Sequence, residues 1–326
     1  MREFYLMVGL SGSGKSTIAK EIEYSICMSS PKYDEYGRAD KVVLISSDDI
    51  RAEILGDVND QSQNDKVFSH VHKLIKQAVK DYNHIIVDAT NITIKNRRAL
   101  LNCLNDKKDY HKIAYIVNTS IEKCKENNSK RDRKVPEYVI DNQAKKFEIP
   151  FFNEGFDDII LHNFPSDIWL GTLKEKVLDK NITSLMDGFN QKNHHHIYDL
   201  GTHCRKVYEE LSKRTDDNTL LCSALAHDIG KLYTGSPKED GSGEYSYKQH
   251  NNFGAYYLMT HLNSLEASRL DEILEFLFYV NYHMHPFFVQ SGKSEKKWKD
   301  IFGEEKYNKL LLFNECDKIA SGTHRN

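Results

Sequence analysis

The sequence is poor in the features that build disulfide scaffolds, membrane spans and nucleic-acid coats. Six cysteines are scattered through 326 residues without a single C-x-x-C pair, which argues against a zinc knuckle and against a small disulfide framework. Free thiols suit a reducing compartment, and the cytoplasm is the expected location. No run of about 18 apolar residues occurs, and the N-terminal apolar run FYLMV is only a strand's length with no cleavage site after it. Neither a membrane span nor a secretory signal is therefore expected. Charge of one sign is also lacking: 45 Lys+Arg against 48 Asp+Glu leave a formal net charge of −3. That balance argues against general nucleic-acid coating while leaving room for a local basic groove. Internal repeats and low-complexity tracts are absent, and the length suffices for two ordinary domains with their own cores.

What is present divides into two halves of different periodicity. Up to about residue 165, short β-rich runs (41–46, 84–88, 112–118 and 158–163) alternate with helical patterns; in 66–80, Val67, Val71, Leu74, Ile75 and Ala78 recur at helical spacing. This is the rhythm of a parallel sheet with helices on both faces. Beyond FPSDIWLGT the strands stop, and 199–213, 218–227, 249–263, 268–282 and 305–320 carry period-3.6 spacing, which predicts an all-helical second half. The expected division is an α/β domain over 1–165 and an all-α domain over 166–326, with the boundary near 165–180, where Pro165 interrupts the chain.

The stretch GLSGSGKST, residues 9–17, joins the first predicted strand to a predicted helix. Gly9, Gly14, Lys15 and Ser16 fit G-x-x-x-x-G-K-[ST], a loop whose backbone N–H groups close around phosphate at a helix N-terminus. Gly12, Ser13, Gly14, Lys15, Ser16 and Thr17 are thus the expected nucleotide-binding residues, with Lys15 on the β- and γ-phosphates of ATP and the Ser16 hydroxyl on Mg²⁺. The acceptor must be read from the carboxyl ends of the other strands. There, SSDDIRAEI offers Asp48 with Arg51 three residues on; with a helix beginning at Asp49, the two side chains converge on the phosphate cleft. An acid that accepts a hydroxyl proton, beside an arginine that pairs with phosphate, suits an acceptor that itself bears phosphate. Asp88 ends the third strand and can hold a Mg²⁺-bound water or orient Arg51. NNSKRDRKVP, in a lid placed near 128–136, offers cations to a transferring phosphoryl group. Lys95, Arg97, Arg98, Lys107, Lys108 and Lys112 form a candidate basic track for a strand backbone.

These stretches, in this order, resemble the 5′-kinase domain of the polynucleotide kinases of nucleic-acid end healing, over about the first 150 residues. PFFNEGFDDI is similar to the closing segment of such domains. The resemblance implies that Asp48 is the general base for a 5′-hydroxyl, that Arg51 contacts the acceptor's first internucleotide phosphate, that Asp88 supports this arginine, and that Arg131 bridges ATP phosphates. Arg133, in an extra Asp132-Arg133 pair before the proline, is a rival for the Arg131 role.

In the second half, LLCSALAHDIGKL sets His227 and Asp228 side by side at the end of an apolar helical run, followed by Gly230 and Lys231. Mixed imidazole and carboxylate ligands suit transition divalents better than Ca²⁺, with Mn²⁺, Ni²⁺, Co²⁺ and Fe²⁺ as candidates. Lys231 is a candidate contact to a substrate phosphate, and the triplet His194 to His196 is left without a role. With HHHIYDLGTHCRKVYEEL before it, and YKQHNNFGAYYL, VNYHMHPFF and NECDKIAS after it, the string resembles the HD phosphohydrolase superfamily. The resemblance implies His203, His227, Asp228 and Asp317 as ligands of a first metal, His250 and His283 as those of a second, with His285 a rival to His283. It also implies metal-assisted attack of water on phosphorus, with Asp228 at the catalytic centre.

Taken together, the two resemblances imply an RNA end-healing enzyme that phosphorylates 5′-hydroxyl ends and removes 2′,3′-cyclic or terminal 3′ or 2′ phosphate. Its partners would be NTP, single-stranded RNA or DNA ends, and an RNA ligase acting downstream. Two departures stand against a simple transfer. No D-x-D-x-T phosphatase motif is present, and in bacterial enzymes that pair these modules the HD half comes first. The competing readings are a small-molecule or nucleoside kinase fused to a nucleotide phosphohydrolase, and a P-loop that senses ATP and regulates the HD domain.

Overall fold

The structure, a computed structural model, describes residues 2–29, 41–104, 109–131, 133–162, 173, 177, 182–194, 197–261, 269–289 and 293–322. Pro165 and most of the expected 165–180 boundary, Lys107, Lys108, Asp132, His195 and His196 lie outside the described residues. The chain forms two compact units, one of Met1–Gln143 with Pro150–His162, the other of Ala144–Ile149 with Asn163–Asn326.

The first unit is built on β1 (Arg2–Val8), β2 (Val42–Ser46), β3 (His84–Asp88), β4 (Tyr110–Ile116) and β5 (Asp158–Leu161), in the order β2-β3-β1-β4-β5. All four pairings are parallel. Strands covered on both faces must be apolar throughout; β3 is buried at every position, and Phe4, Leu6, Met7 and Val8 of β1 are fully buried. Between them run α1 (Lys15–Ser29), α2 (Ser47–Leu55), α3 (Asn64–Asp81), α4 (Ile94–Leu101), α5 (Ile121–Ser129) and α6 (Glu137–Lys145). Met7, Ile86 and Val117 from the sheet meet Ile18 and Ala19 of α1 in one apolar cluster. The register pairs Ser46 with Asp88, so the carboxyl ends of β2 and β3 finish level with each other beside the loop that leaves β1.

Arg97 departs from the expected basic track. It is fully buried, and its Nε and Nη2 donate to Glu154 Oε2 and Oε1 at 2.8 and 2.7 Å. Its Nη1 donates to the Asn91 carbonyl at 3.1 Å. The first of the two arginines in NRR is therefore structural, and Lys112 is drawn to Asp157 at 3.4 Å. Among the described residues of the track, Lys95 is exposed and Arg98 is partly exposed. Breaking a buried pair by removing one charge is strongly destabilising. Glu154→Gln is expected to cost about 3–5 kcal/mol of stability, read as a lowered urea midpoint; an unmoved midpoint would refute a structural role for the pair.

The second unit is mostly helical: α7 (Ile182–Leu185), α8 (Leu200–Ser212), α9 (Asn218–Ala226), α10 (Lys231–Thr234), α11 (His250–His261), α12 (Leu270–Tyr282), α13 (His285–Phe288), α14 (Lys293–Phe302) and α15 (Glu304–Ala320). Asp199 and Asp217 cap α8 and α9, accepting from the N–H groups of Thr202 and Leu220, each at 3.0 Å. The cap at Asp199 matters because it fixes the start of the helix that carries His203. α8 lays Leu200, Cys204, Val207 and Leu211 against α9 and α15, and α9, buried from Leu220 onward, sits centrally against α12 as well. Asn281, fully buried, clamps the segment Ala144–Ile149: it accepts from the Ile149 N–H at 2.7 Å and donates to the Phe147 carbonyl at 3.1 Å.

The second half is not all helix. β6 (Ser236–Pro237) and β7 (Tyr245–Ser246) pair antiparallel, and two-residue strands are too short for alternation to show. In the EDGSGE turn between them, Gly241 and Gly243 adopt positive φ of 72° and 73°. Among the described residues, no helix is long and apolar enough to cross a membrane.

Candidate functional site

The loop after β1 is shaped by close approach. Gly12 has φ 81°, and a Cβ there would lie 2.2 Å from the Cys124 carbonyl oxygen, so a side chain is excluded on both conformation and space. The Gly12 and Ser13 carbonyls are taken from outside by Asn127 Nδ2 at 3.0 Å and Thr119 Oγ1 at 2.7 Å. Gln143 holds Ser11 at both ends, accepting from its N–H at 2.8 Å and donating to its Oγ at 3.0 Å. Lys15 is buried, with Nζ donating to the Leu10 carbonyl at 2.7 Å. Burial draws the pKa of its ammonium down, while the Asp88 carboxylate acts in the opposite sense. A desolvated cation in the first turn of α1 favours an anion there.

A cleft of about 70 Å³ opens beside this loop, lined by Lys15, Ser16, Asp48, Asp88, Arg131 and Arg133 among others. It adjoins a larger groove of about 640 Å³, which shares Asp48 and Arg133 with it and continues past Arg51, Phe68 and Tyr138. The α2 helix begins at Ser47, two residues before the expected start, because the Ser46 Oγ accepts from the Asp49 N–H at 3.2 Å. Asp48 thereby sits in the first turn with Arg51 one turn on. Arg51 is only 4 % exposed and donates from Nη1 to the Asp60 carbonyl at 2.8 Å. Burial lowers its pKa, and Asp48 opposes that effect. Asp88, expected to serve either Mg²⁺ or Arg51, lies in the cleft with Lys15 and Ser16, whereas the partner holding Arg51 is Asp60.

The segment expected to act as a lid closes on itself. Asn128, buried at the end of α5, donates to the Val135 carbonyl at 2.8 Å and accepts from the Val135 N–H at 3.0 Å. The turn between them presents Arg131 and Arg133 to the cleft. Arg131 is exposed, while Arg133 pairs through Nη1 with Asp48 Oδ2.

In the helical unit the buried imidazoles converge on Asp228. Its Oδ1 lies 3.0 Å from His250 Nε2 and 3.6 Å from His283 Nε2; its Oδ2 lies 3.3 Å from His227 Nε2 and 3.5 Å from His203 Nε2. Asp317 Oδ1 is 3.0 Å from His203 Nε2 and 3.9 Å from that of His227. Donor atoms of His203, His227 and Asp317 fall within 4.8 Å of one another, as do those of His227, Asp228 and His283. One carboxylate thus faces two donor sets, the arrangement of a bridging ligand.

The outer ring nitrogens explain why Nε2 is presented. Nδ1 of His227, His250 and His283 meets the carbonyls of Ala224, Tyr247 and Val280 at 2.9, 2.8 and 2.8 Å. A carbonyl only accepts, so in the neutral ring Nδ1 carries the proton and Nε2 keeps its lone pair. His283 is pushed down to about 4, first by burial. Burial also opposes charge on His227, yet the Asp228 carboxylate and Cys204 together outweigh it and hold that pKa well above the ordinary value. His227 Nε2 is buried without a well-formed hydrogen bond. Buried carboxylates that retain a proton on a neighbouring imidazole are short of positive charge, and a divalent cation fits this donor set.

Lys231 is buried, with Nζ 2.7 Å from Asp228 Oδ2 and 2.9 Å from Gln191 Oε1. His285 is not brought to this cluster; its ring lies 4.2 Å from that of Trp298, and burial pushes its pKa down to about 4. His194 is exposed and pairs with Glu244. Sequence reasoning named Gly230 without giving it a role; a Cβ there would lie 1.9 Å from the His250 carbonyl oxygen. Glycine there lets the turn after Asp228 sit directly against α11, and the G of HDIGK was the available signal. Sequence reasoning missed Gln191 and Asn128, single amides whose partners lie 40 and 7 residues away, and no spacing announces them.

Residues 4–150 match the family described as AAA domain, and residues 193–319 match the family described as HD domain. No curated protein is matched by the chain. Similar solved structures include a chain of the Pnkp1/Rnl/Hen1 RNA repair complex, at 18 % identity over 44 % of this chain and 43 % of that one, with a TM-score of 0.34. A second structure of the Pnkp1/Rnl/Hen1 complex is similar at 19 % identity, over 41 % and 40 %, with a TM-score of 0.31. A gluconokinase from Sinorhizobium meliloti 1021 is similar at 15 % identity, over 49 % and 81 %, with a TM-score of 0.33. The chain thus spans less than half the length of the RNA repair chains it resembles. With the loop at Lys15 and the cluster around Asp228 falling inside the two matched segments, the chain joins a P-loop, kinase-like AAA domain to an HD domain.

Proposed function

We propose that the first domain phosphorylates the 5′-hydroxyl of a polynucleotide from a nucleoside triphosphate, and that the HD domain removes 2′,3′-cyclic or terminal phosphate from the other end. The observation that carries the kinase reading is the position of Asp48, shared by the cleft at Lys15 and Ser16 and by the longer groove beyond it. A hydroxyl presented from the groove meets the carboxylate that takes its proton and, past it, the γ-phosphate held at Lys15. Arg51, in the same groove, pairs with the phosphate that follows the first nucleoside of the acceptor. A groove of about 640 Å³ that continues beyond this arginine past Phe68 and Tyr138 supports a strand more readily than a nucleoside, because bases can stack on its rings.

Lys15 and Arg131 neutralise charge on the transferring phosphoryl group, and the Leu10 carbonyl orients the Lys15 ammonium at the cleft. Ser16 and Asp88 are the residues that would hold Mg²⁺, which supplies further charge neutralisation. In the HD domain, His203, His227, Asp228 and Asp317 would hold one divalent cation and Asp228, His250 and His283 a second; such cations supply Lewis acidity toward a phosphoester. Lys231 balances the Asp228 carboxylate from the side away from His250, since it meets Oδ2 while His250 meets Oδ1.

The test is an RNA oligomer with a 5′-hydroxyl and a 2′,3′-cyclic phosphate, incubated with γ-labelled ATP, Mg²⁺ and Mn²⁺ and mapped at both ends. Label at the 5′ end and loss of the cyclic phosphate are expected. Turnover of free nucleosides or nucleotides with both RNA ends untouched would replace this reading with a small-molecule kinase and phosphohydrolase.

A further inference from the structure

Asp48 is already occupied. The Arg133 guanidinium reaches back from the lid to pair with its Oδ2, across the place where an acceptor hydroxyl would meet the carboxylate. The Arg133 side chain is only 23 % exposed, and its Nε is buried without a hydrogen-bond partner. One turn along α2 from Asp48, the Nε of Arg51 is likewise buried and unsatisfied, with only Nη1 of that guanidinium on a carbonyl. Both arginines line the same groove, and Arg51 feels Asp48 as compensating charge and Arg133 as repulsion. Two buried N–H donors without acceptors flanking one carboxylate make a site short of an anion.

We infer that Arg133 is a latch on Asp48, opened when the acceptor's internucleotide phosphate draws the guanidinium to itself and bridges Arg133 with Arg51. This rests on the reading of Asp48 as general base. A phosphodiester offers two non-bridging oxygens, enough for both arginines, and phosphate competes well with carboxylate for a guanidinium. With the latch open, the acceptor oxygen attacks Pγ, the bond from Pγ to the β,γ-bridging oxygen breaks, ADP leaves, and the hydroxyl proton passes to Asp48. With the latch shut, Oδ2 is engaged by Arg133 and is not free to take a proton from water or a nucleoside. Arg133 is in this sense a gating and specificity residue, distinct from the groups that touch the transferring phosphoryl.

The experiment compares the full chain with Arg133→Gln and Arg133→Lys, using ATP and Mg²⁺ with a 5′-hydroxyl dinucleotide, a phosphate-free nucleoside, or no acceptor. In Arg133→Gln the nucleoside-to-dinucleotide ratio of kcat/KM is expected to rise roughly fivefold, the size of an equilibrium shift set by one partly exposed ion pair. ATP hydrolysis without acceptor should rise by a similar factor, and Arg133→Lys should restore much of the dinucleotide preference. An unchanged ratio, or equal losses with every acceptor, would overturn the latch. If the unaltered chain phosphorylates neither acceptor, the polynucleotide reading fails by itself. The latch is then judged on ATP hydrolysis alone: a rise in Arg133→Gln supports it, and an equal or lower rate overturns it.

Discussion

Asp228→Asn is expected to strip the HD domain of bound divalent metal and to lower phosphoester hydrolysis by more than about a hundredfold, while ATP-dependent phosphorylation continues. Loss of an outer-shell partner of a metal ligand costs about 10- to 100-fold, and Asp228 stands one step further in, with each oxygen facing a different donor set. Asparagine keeps the shape but removes the charge that His227 and Lys231 balance. The buried Lys231 ammonium, left without that countercharge, then repels an incoming metal. The variant also leaves Lys231 without a countercharge on Asp228, so the purified protein should be checked for a cooperative thermal transition before its metal is counted by mass spectrometry. Retained kinase activity serves as a second control, because Lys15, Asp48 and the lid belong to the other compact unit. Equal metal content in a folded variant would refute the ligand assignment.

The parts of this architecture that could be read in the sequence are those set by local stereochemistry. The phosphate loop is one: Gly12 is required by a positive φ and by the Cys124 carbonyl, and such needs leave glycines at fixed spacing. The helical ligands are another, since each histidine sits within an apolar, periodic segment that can be traced alone. Arg97 shows the limit. It and Arg98 are adjacent and chemically identical, yet one is fully buried on Glu154 and the other is partly exposed. The difference comes from which face α4 turns inward and from a partner 57 residues away. The hairpin at Ser236–Pro237 and Tyr245–Ser246 was missed for the opposite reason, because its strands are shorter than one period of alternation. The choice between His283 and His285 needed three dimensions as well. Two residues apart, they diverge where α12 ends, one ring turning toward Asp228 and the other toward Trp298.

Arg131→Ala is expected to lower phosphoryl transfer by roughly 10³- to 10⁵-fold, the range attributed to a transition-state arginine, with nucleotide binding retained because Lys15 and the loop remain. Sequence left two lid arginines competing for this role, and their surroundings differ. Arg131 lines the small cleft with Lys15 and Ser16 and does not line the longer groove; Arg133 lines both and pairs with Asp48. A residue confined to the phosphate side can add charge to the transferring group, whereas one tied to the base reports on the acceptor. The two substitutions should therefore differ in kind. Arg131→Ala should depress kcat with every acceptor, and Arg133→Gln should change which acceptor is preferred. Single-turnover measurement at saturating ATP, with nucleotide affinity measured separately, distinguishes the two. If Arg133→Gln gave the uniform loss and Arg131→Ala the altered preference, the roles would be exchanged, and the Asp48 contact would be an arrangement that the lid leaves when nucleotide binds.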